Sequence, residues 1–187
     1  MQSIIKYEFN EHLKTVQATL ESIGSSIETA ANLCINSLEN GGKILVFGNG
    51  GSAAIASHFS VDMTKNAGVR CTNYNESDLI TCFANDFGYE RWVEKAVDFY
   101  GNSGDLLITI SSSGQSKNMI NGCDAAFRKK FSKVITFSGF DHNNPLRSKG
   151  DINLWVDSKA YNYVENIHQI WLLSIVDLII GNKEYSA

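Results

Sequence analysis

Proline, paired cysteines and long apolar runs are scarce in this sequence. Its 187 residues include one proline, and 43% are hydrophobic against 19% charged. This composition excludes collagen-like, low-complexity and disordered proteins. The net charge of −4 gives no attraction to nucleic acid or to an anionic membrane, so we expect neither as a partner.

The four cysteines, Cys34, Cys71, Cys82 and Cys123, are widely spaced and form no CxxC pair. This spacing disfavours a structural zinc motif or a redox motif. Three of the four stand in apolar or strand-like surroundings. We therefore predict reduced core cysteines in a cytoplasmic protein.

The sequence also lacks the marks of a targeting or membrane segment. The first residues, MQSIIKYEFNEHLK, have neither a basic start nor a long apolar core, so no signal peptide is expected. The most apolar stretch, residues 167–180, is shorter than the ~20 residues that cross a bilayer. It predicts a buried helix.

A helical stripe occupies the first 38 residues. Its apolar positions recur at spacings of four and three and are Phe9, Leu13, Val16, Leu20, Ile23, Ile27, Ala30, Cys34 and Leu38. Gly24-Ser25-Ser26 interrupts the stripe, so we predict two helices. Because so regular a stripe needs another helix to cover it, we expect residues 1–40 to serve oligomerisation.

From residue 41 onward, short apolar runs alternate with helical stretches. The runs are KILVFG (43–48), VRCTNY (69–74), DLLITIS (105–111), KVITFS (133–138) and INLWV (152–156), with helices near 52–66 and 116–130. Continuous apolar strands alternating with helices are typical of a parallel sheet covered on both faces. We predict one α/β domain over 1–187: a three-layer α/β/α sandwich with a parallel five-stranded, flavodoxin-like sheet at 41–187.

Ligands of such sheets bind beyond the carboxyl ends of the strands, which draws attention to two loops. The first is Gly48-Asn49-Gly50-Gly51-Ser52, between a buried strand and a helix. Its glycines allow a sharp turn and a close backbone approach, and the helix start offers N–H groups to an anion. A tight turn needs one glycine, so three favour a ligand.

The second loop is Ser111-Ser112-Ser113-Gly114-Gln115-Ser116. Hydroxyl groups can surround a phosphate without the strong charge of a lysine, which suits a metabolite that must be released. Capping of the following helix would explain Ser116 but not four serines. We predict phosphate binding here.

Two acid–histidine pairs are candidates for proton transfer. His58 and Asp62 stand four apart on the helix after the glycine loop, and Glu165 and His168 stand three apart on the apolar closing helix. An acid and an imidazole on an apolar helix face indicate either hydrogen-bond partners in the core or a functional role, because burying unpaired polar groups is costly. Asn85-Asp86 taken alone predicts a turn in which Asp86 caps the next helix.

These motifs resemble the sugar isomerase (SIS) domain family, and within it the phosphoheptose isomerases. The resemblance covers nearly the whole chain and is most specific at GNGGSAAIASHF (48–59), ANDFGYE (84–90) and ISSSGQS (110–116). It implies a cytoplasmic homotetramer whose sites are completed by neighbouring subunits. It also implies interconversion of sedoheptulose 7-phosphate and a D-glycero-D-manno-heptose 7-phosphate for bacterial surface polysaccharide.

The resemblance also implies roles for individual residues. It assigns the sugar to Asn49, Gly50 and Gly51, and the sugar hydroxyls to Asn85 and Asp86. It assigns the phosphate to Ser111, Ser112, Ser113 and Ser116. We also expect Ser52, the next residue of the glycine loop, to bind the substrate.

Two positions depart from the family pattern. Asp62 stands where the family has a catalytic glutamate, and Leu173 stands where it has a catalytic histidine. We expect Asp62 and Glu165 to form the catalytic carboxylate pair, with His168 replacing the missing histidine. No cofactor is expected to be required; zinc held by His58, Asp62 and Glu165 is the alternative.

Two other functions remain open. Leu173 also fits a SIS module that binds a sugar phosphate and acts through a protein partner without catalysis. Gly48-x-Gly50-x-x-Ala53 matches a dinucleotide fingerprint, but the acid expected about 20 residues on is matched only by Glu76, which comes late.

Overall fold

Five parallel strands form the centre of the protein, which we describe from a computed structural model covering residues 2–184. The strands are β1 (Ile44–Gly48), β2 (Cys71–Thr72), β3 (Leu106–Ser111), β4 (Lys133–Ser138) and β5 (Ile152–Trp155), in the order β2-β1-β3-β4-β5. The predicted α/β/α sandwich and its flavodoxin-like strand order are confirmed. Residues 1 and 185–187 of the predicted domain lie outside the described part.

Helices cover both faces of this sheet. They are α1 (Gln2–Glu39), α2 (Gly51–Lys65), α3 (Ser77–Phe87), α4 (Trp92–Tyr100), α5 (Lys117–Arg128) and α6 (Tyr161–Ile180). The core is therefore split in two by the sheet: Ile44 and Val46 face the side of α1, α2 and α6, whereas Leu45 and Phe47 face α4 and α5. Alternate side chains of a strand point to opposite faces of the sheet. Because both faces are buried here, every side chain of β1 is apolar.

The N-terminal segment is one helix, and the prediction of two helices is wrong. α1 continues through Gly24, since a helix tolerates an isolated glycine at a cost of about 1 kcal/mol relative to alanine. Ile23, Ile27 and Cys34 pack into the core. The first half instead exposes its apolar residues Ile4, Ile5, Tyr7, Phe9, Leu13 and Leu20.

The closing helix α6 is a core helix, as its apolar run predicts. Across residues 2–184 it is also the one segment whose length and composition would allow it to cross a membrane. Its buried side chains pack against α1, α2 and the sheet and are Val164, Ile167, His168, Trp171, Leu172, Ile175 and Val176.

A buried ion pair joins the starts of β1 and β3. The carboxylate of Asp105 accepts hydrogen bonds from Lys43 Nζ at 2.6 Å, from the Lys43 amide at 3.0 Å and from the Asn102 amide at 2.8 Å. Asp105 is 2% exposed. Removing one partner of such a pair leaves a buried charge and buried amides unpaired.

We therefore predict that Asp105→Ala lowers the free energy of unfolding by about 3 kcal/mol, measured by urea denaturation at fixed protein concentration. The control is Lys159→Ala, which removes the exposed pair between Lys159 and Asp141 and should change stability far less, because solvent screens exposed pairs. Equal effects of the two variants would contradict this interpretation of Asp105.

Candidate functional site

A cavity of about 120 Å³ opens where β1 and β3 end beside each other. Both predicted loops contribute to it, and so does the start of α6. The lining residues are Asn49, Ser52, Ile110, Ser111, Ser112, Ser113, Ser116, Tyr161 and Glu165. Two helices, α2 and α5, begin at this edge, and helix N-termini favour an anion.

The glycine loop has the backbone that the sequence predicts. Gly50 has a φ of 53°, which a side chain would disfavour, and α2 begins at the next residue. A Cβ built on Gly48 would lie within 2.8 Å of three Ser52 atoms. The loop can therefore turn this tightly only with glycine at these positions.

The serine loop keeps its hydroxyl groups close together. Ser111 Oγ donates to Ser116 Oγ at 3.0 Å, and Ser113 Oγ accepts from the Gln115 amide at 3.2 Å. Ser116 occupies the N-cap position of α5, but its side chain makes no capping hydrogen bond. Capping therefore does not account for Ser116, whose hydroxyl faces the other serines.

Glu165 brings a carboxylate to the opposite wall of the cavity. Ser112 Oγ donates to Glu165 Oε1 at 3.5 Å. A Cβ built on Gly51 would overlap the same carboxylate, so the absence of a side chain at Gly51 admits Glu165 to the site. The sequence analysis predicts Glu165 as a catalytic carboxylate, and the structure brings this carboxylate to the serine loop.

Asn49 is held by two residues that the sequence analysis missed. Its Oδ1 accepts from Asn118 Nδ2 at 2.8 Å and from Tyr89 Oη at 2.9 Å, and its Nδ2 donates to Asn118 Oδ1 at 3.1 Å. These contacts leave Nδ2 of Asn49 with a second N–H. Tyr89 belongs to the motif ANDFGYE, whereas the burial of Asn118 at 3% exposure had no signal in the sequence.

Asn85 and Asp86 do not line the cavity of their own chain. Both are exposed on the last turn of α3, where Asn85 Nδ2 donates to Asp86 Oδ1 at 2.8 Å. The prediction that Asp86 caps the next helix is wrong, since Arg91 occupies the N-cap position of α4. Within one chain, the motif ANDFGYE (84–90) reaches the cavity through Tyr89, whose hydroxyl group donates to Asn49.

Asp62 and Glu165 do not form a pair within one chain, contrary to the prediction. Glu165 lies against Gly51 at the start of α2, and Asp62 is 11 residues further along that helix, a rise of roughly 16 Å. Asp62 instead lies 3.2 Å from His58 Nε2, and Gln169 Nε2 lies 3.4 Å from His58 Nδ1. These side chains form a second polar group on α2 and α6.

The predicted zinc set is divided by the same separation. His58 and Asp62 lie together, while Glu165 lines the cavity. Within residues 2–184, no three His, Cys, Asp or Glu side chains cluster as metal ligands would. Two donors are fewer than the three or four protein ligands of zinc sites, so the residues of one chain do not fit this metal.

His168 is a core residue, which argues against its predicted catalytic role. It is fully buried, packs on the rings of Phe137 and Trp171, and places Nε2 3.1 Å from the carbonyl oxygen of Ser138. Burial lowers the pKa of the imidazole to about 4. The ring is therefore neutral at pH 7, outside the cavity and shielded from any substrate in it.

The dinucleotide alternative finds no structural support. The acid that it requires should end the second strand, but β2 ends at Thr72, and Glu76 is the N-cap residue of α3. The glycine loop instead faces serines.

Comparison with known proteins agrees with this geometry. Residues 8–139 match the SIS domain family. The chain belongs to this family. It is 34% identical to the phosphoheptose isomerase of Aliarcobacter butzleri (strain RM4018), over 96% of this chain and 97% of the relative, and 35% identical to that of Sodalis glossinidius (strain morsitans), over 96% and 94%.

A solved SIS structure shows the same architecture. The phosphoheptose isomerase GmhA from Neisseria gonorrhoeae superposes with a TM-score of 0.89 at 30% identity, covering 95% of this chain and 98% of that one. The similarity therefore includes α1 as well as the sandwich.

The burial of His168 predicts a pH dependence of stability. Unfolding restores an ordinary pKa near 6.5 to His168. Between pH 6.5 and about pH 4, the imidazole is therefore protonated in the unfolded state and neutral in the folded state. Stability should fall as pH falls from 6.5 to 4, by roughly 3 kcal/mol from this residue. In His168→Gln this contribution is absent, so the stability difference between wild type and variant should shrink toward acid pH.

Urea denaturation at pH 7 and pH 4.5, at one protein concentration, measures this difference. His142→Gln, which alters an exposed histidine, should run parallel to wild type. A parallel course for His168→Gln as well would show that His168 keeps an ordinary pKa in the folded protein.

Proposed function

We propose that this chain interconverts sedoheptulose 7-phosphate and D-glycero-D-manno-heptose 7-phosphate. It is a phosphosugar isomerase by its full-length similarity to phosphoheptose isomerases. The observation that carries the assignment is the cavity at the ends of β1 and β3, where five serines and two helix starts face one carboxylate.

The serine side of the cavity suits the phosphate. Ser111, Ser112, Ser113 and Ser116 supply neutral hydroxyl donors, and α2 and α5 begin beside them. Hydroxyl groups and helix N-termini stabilise a phosphate without a lysine or arginine in the cavity wall. Such a site holds the phosphate firmly enough to orient the sugar and releases the product readily.

Glu165 suits the proton transfer. Aldose–ketose isomerisation removes a proton from the carbon beside the carbonyl, passes through an enediolate, and returns a proton to the former carbonyl carbon. Among the cavity-lining residues of the described chain, Glu165 is the only carboxylate. The free N–H of Asn49 is placed to donate to a sugar oxygen as negative charge develops on it.

Asp62 and His58 fit a role in the site of a neighbouring subunit. Neither lines the cavity of its own chain, and the proposed homotetramer would complete each site with residues of another copy. The exposed apolar residues of α1, from Ile4 to Leu20, supply a surface for that association. Asn85 and Asp86, also exposed, would contact the sugar by the same route.

The further properties of the proposal follow from the family. The enzyme works in the cytoplasm and supplies heptose for surface polysaccharide. The proposal requires no metal, because Leu173 stands where the family has a histidine, which removes one donor from any site that His58 and Asp62 of another copy would complete.

A binding module without catalysis is the second candidate, and two observations favour it. Leu173 cannot transfer a proton, and His168, its predicted substitute, is buried in the core. One carboxylate per cavity would then remain for a reaction that needs proton transfer at two carbons and at two oxygens. This candidate retains phosphate binding and loses turnover.

Turnover of sedoheptulose 7-phosphate by the purified protein separates the two candidates. We expect conversion that persists with chelator, and a loss of about 10²- to 10⁴-fold in kcat for Glu165→Gln because the general base is removed. Glu184→Gln, at an exposed acid outside the cavity, is the control. Phosphate binding by calorimetry without any turnover in wild type would instead establish the binding module.

The proposed assembly predicts a change of mass on disrupting α1. The double variant Phe9→Asp, Leu13→Asp places two charges on exposed apolar positions and should convert the tetramer to smaller species. Light scattering would measure this decrease in mass. Asn32→Asp, an exposed polar position on the same helix, should leave the mass unchanged. A tetramer that survives the double variant would place the interface elsewhere.

A further inference from the structure

Asn144 lies outside the cavity and is nevertheless buried and fully hydrogen-bonded. It follows β4, is 3% exposed, and directs its Nδ2 at Asp141 O (2.9 Å), Gly139 O (3.2 Å) and Ser138 Oγ (3.2 Å). Its Oδ1 accepts from the Arg147 amide at 3.0 Å. A buried amide satisfied on both ends has one orientation and resists rotation.

This amide also supports the serine loop. Gly114, the residue at which the loop turns back, has a φ of 66°, and a Cβ built there would overlap the side-chain amide of Asn144. Next to that contact, the Leu146 amide donates to the Gly114 carbonyl oxygen at 3.1 Å. The turn of the serine loop therefore rests directly on Asn144 and its neighbour.

We propose that Asn144 is a positioning residue for phosphate binding: it holds Gly114 so that Ser111 and Ser116 keep their hydroxyl groups together. The proposal rests on the phosphate site proposed above. The distance of 3.0 Å between the two hydroxyl oxygens requires the chain to reverse within five residues, and Gly114 makes that reversal. A loop released from Asn144 would sample wider conformations and would have to be ordered again whenever phosphate binds.

Asn153 provides a matched control for this role. Its Nδ2 donates to Thr136 O at 3.1 Å, Thr136 Oγ1 at 2.8 Å and Ser138 Oγ at 3.1 Å, so it shares Ser138 with Asn144. It sits on β5, whereas the three atoms nearest to a Cβ built on Gly114 all belong to Asn144. Loss of either amide removes a similar set of hydrogen bonds, but only one of them touches the serine loop.

The first experiment compares Asn144→Ala with Asn153→Ala in the assembled protein. For Asn144→Ala we expect the KM for sedoheptulose 7-phosphate and the Kd for inorganic phosphate to rise about tenfold, with kcat within about threefold of wild type. For Asn153→Ala we expect a similar loss of stability and no change in either constant. A purely structural role of Asn144 would give both variants unchanged constants and would overturn the proposal.

The second experiment tests the contact itself through Gly114→Ala. In wild type the added methyl group meets the Asn144 amide and its Cβ as well as an unfavourable φ. In Asn144→Ala the overlap with the amide is removed, and the contact with the Cβ of residue 144 at 2.7 Å remains beside the unfavourable φ. The added loss of phosphate affinity should therefore be several-fold smaller in the double variant than in Gly114→Ala alone. Strictly additive effects would overturn the proposed contact.

The outcomes distinguish this proposal from the proposed function. Wild-type protein that binds neither inorganic phosphate nor the sugar phosphate would overturn the phosphate site and the role of Asn144 with it. Wild-type binding together with undiminished binding in Asn144→Ala would overturn the role of Asn144 alone. Should Asn144→Ala fail to fold, Asn144→Ser takes its place with the same expected constants.

Discussion

The pairing of β1 with β3 is the constraint on which the site depends. These strands are far apart in the chain, but their registered hydrogen bonds run from Ile44 opposite Leu106 to Gly48 opposite Ile110. Both strands consequently end at the same level, and the glycine and serine loops meet there. The pairing itself is stable because apolar side chains of both strands are buried on both faces of the sheet.

The cavity needs a further wall, and α6 provides it through close packing. Gly51 admits the carboxylate of Glu165, and one turn later His168 meets the carbonyl oxygen of Ser138. The same Ser138 bonds through its hydroxyl to Asn144, which supports Gly114. The end of β4 therefore connects the helix that carries the carboxylate with the loop that receives the phosphate.

Agreement between sequence and structure is best where local chemistry decides. Gly50 adopts the positive φ that its loop predicts, and the serine hydroxyls cluster as their number predicts. Agreement fails where a local signal was overridden. Gly24 weakens α1 without ending it, because packing of the flanking residues outweighs a cost of about 1 kcal/mol.

By itself, the sequence determined the alternation of buried strands with helices and the two loops at the strand ends, because hydrophobic periodicity and glycine or serine chemistry act over a few residues. Only the tertiary structure decided which acids and histidines share a site. Helix spacing grouped His168 with Glu165, yet packing places His168 in the core and Glu165 in the cavity wall. The family resemblance led us to pair Asp62 with Glu165, which the length of α2 keeps apart within one chain. Contacts such as Asn144 with Gly114 join distant segments, and no local pattern encodes them.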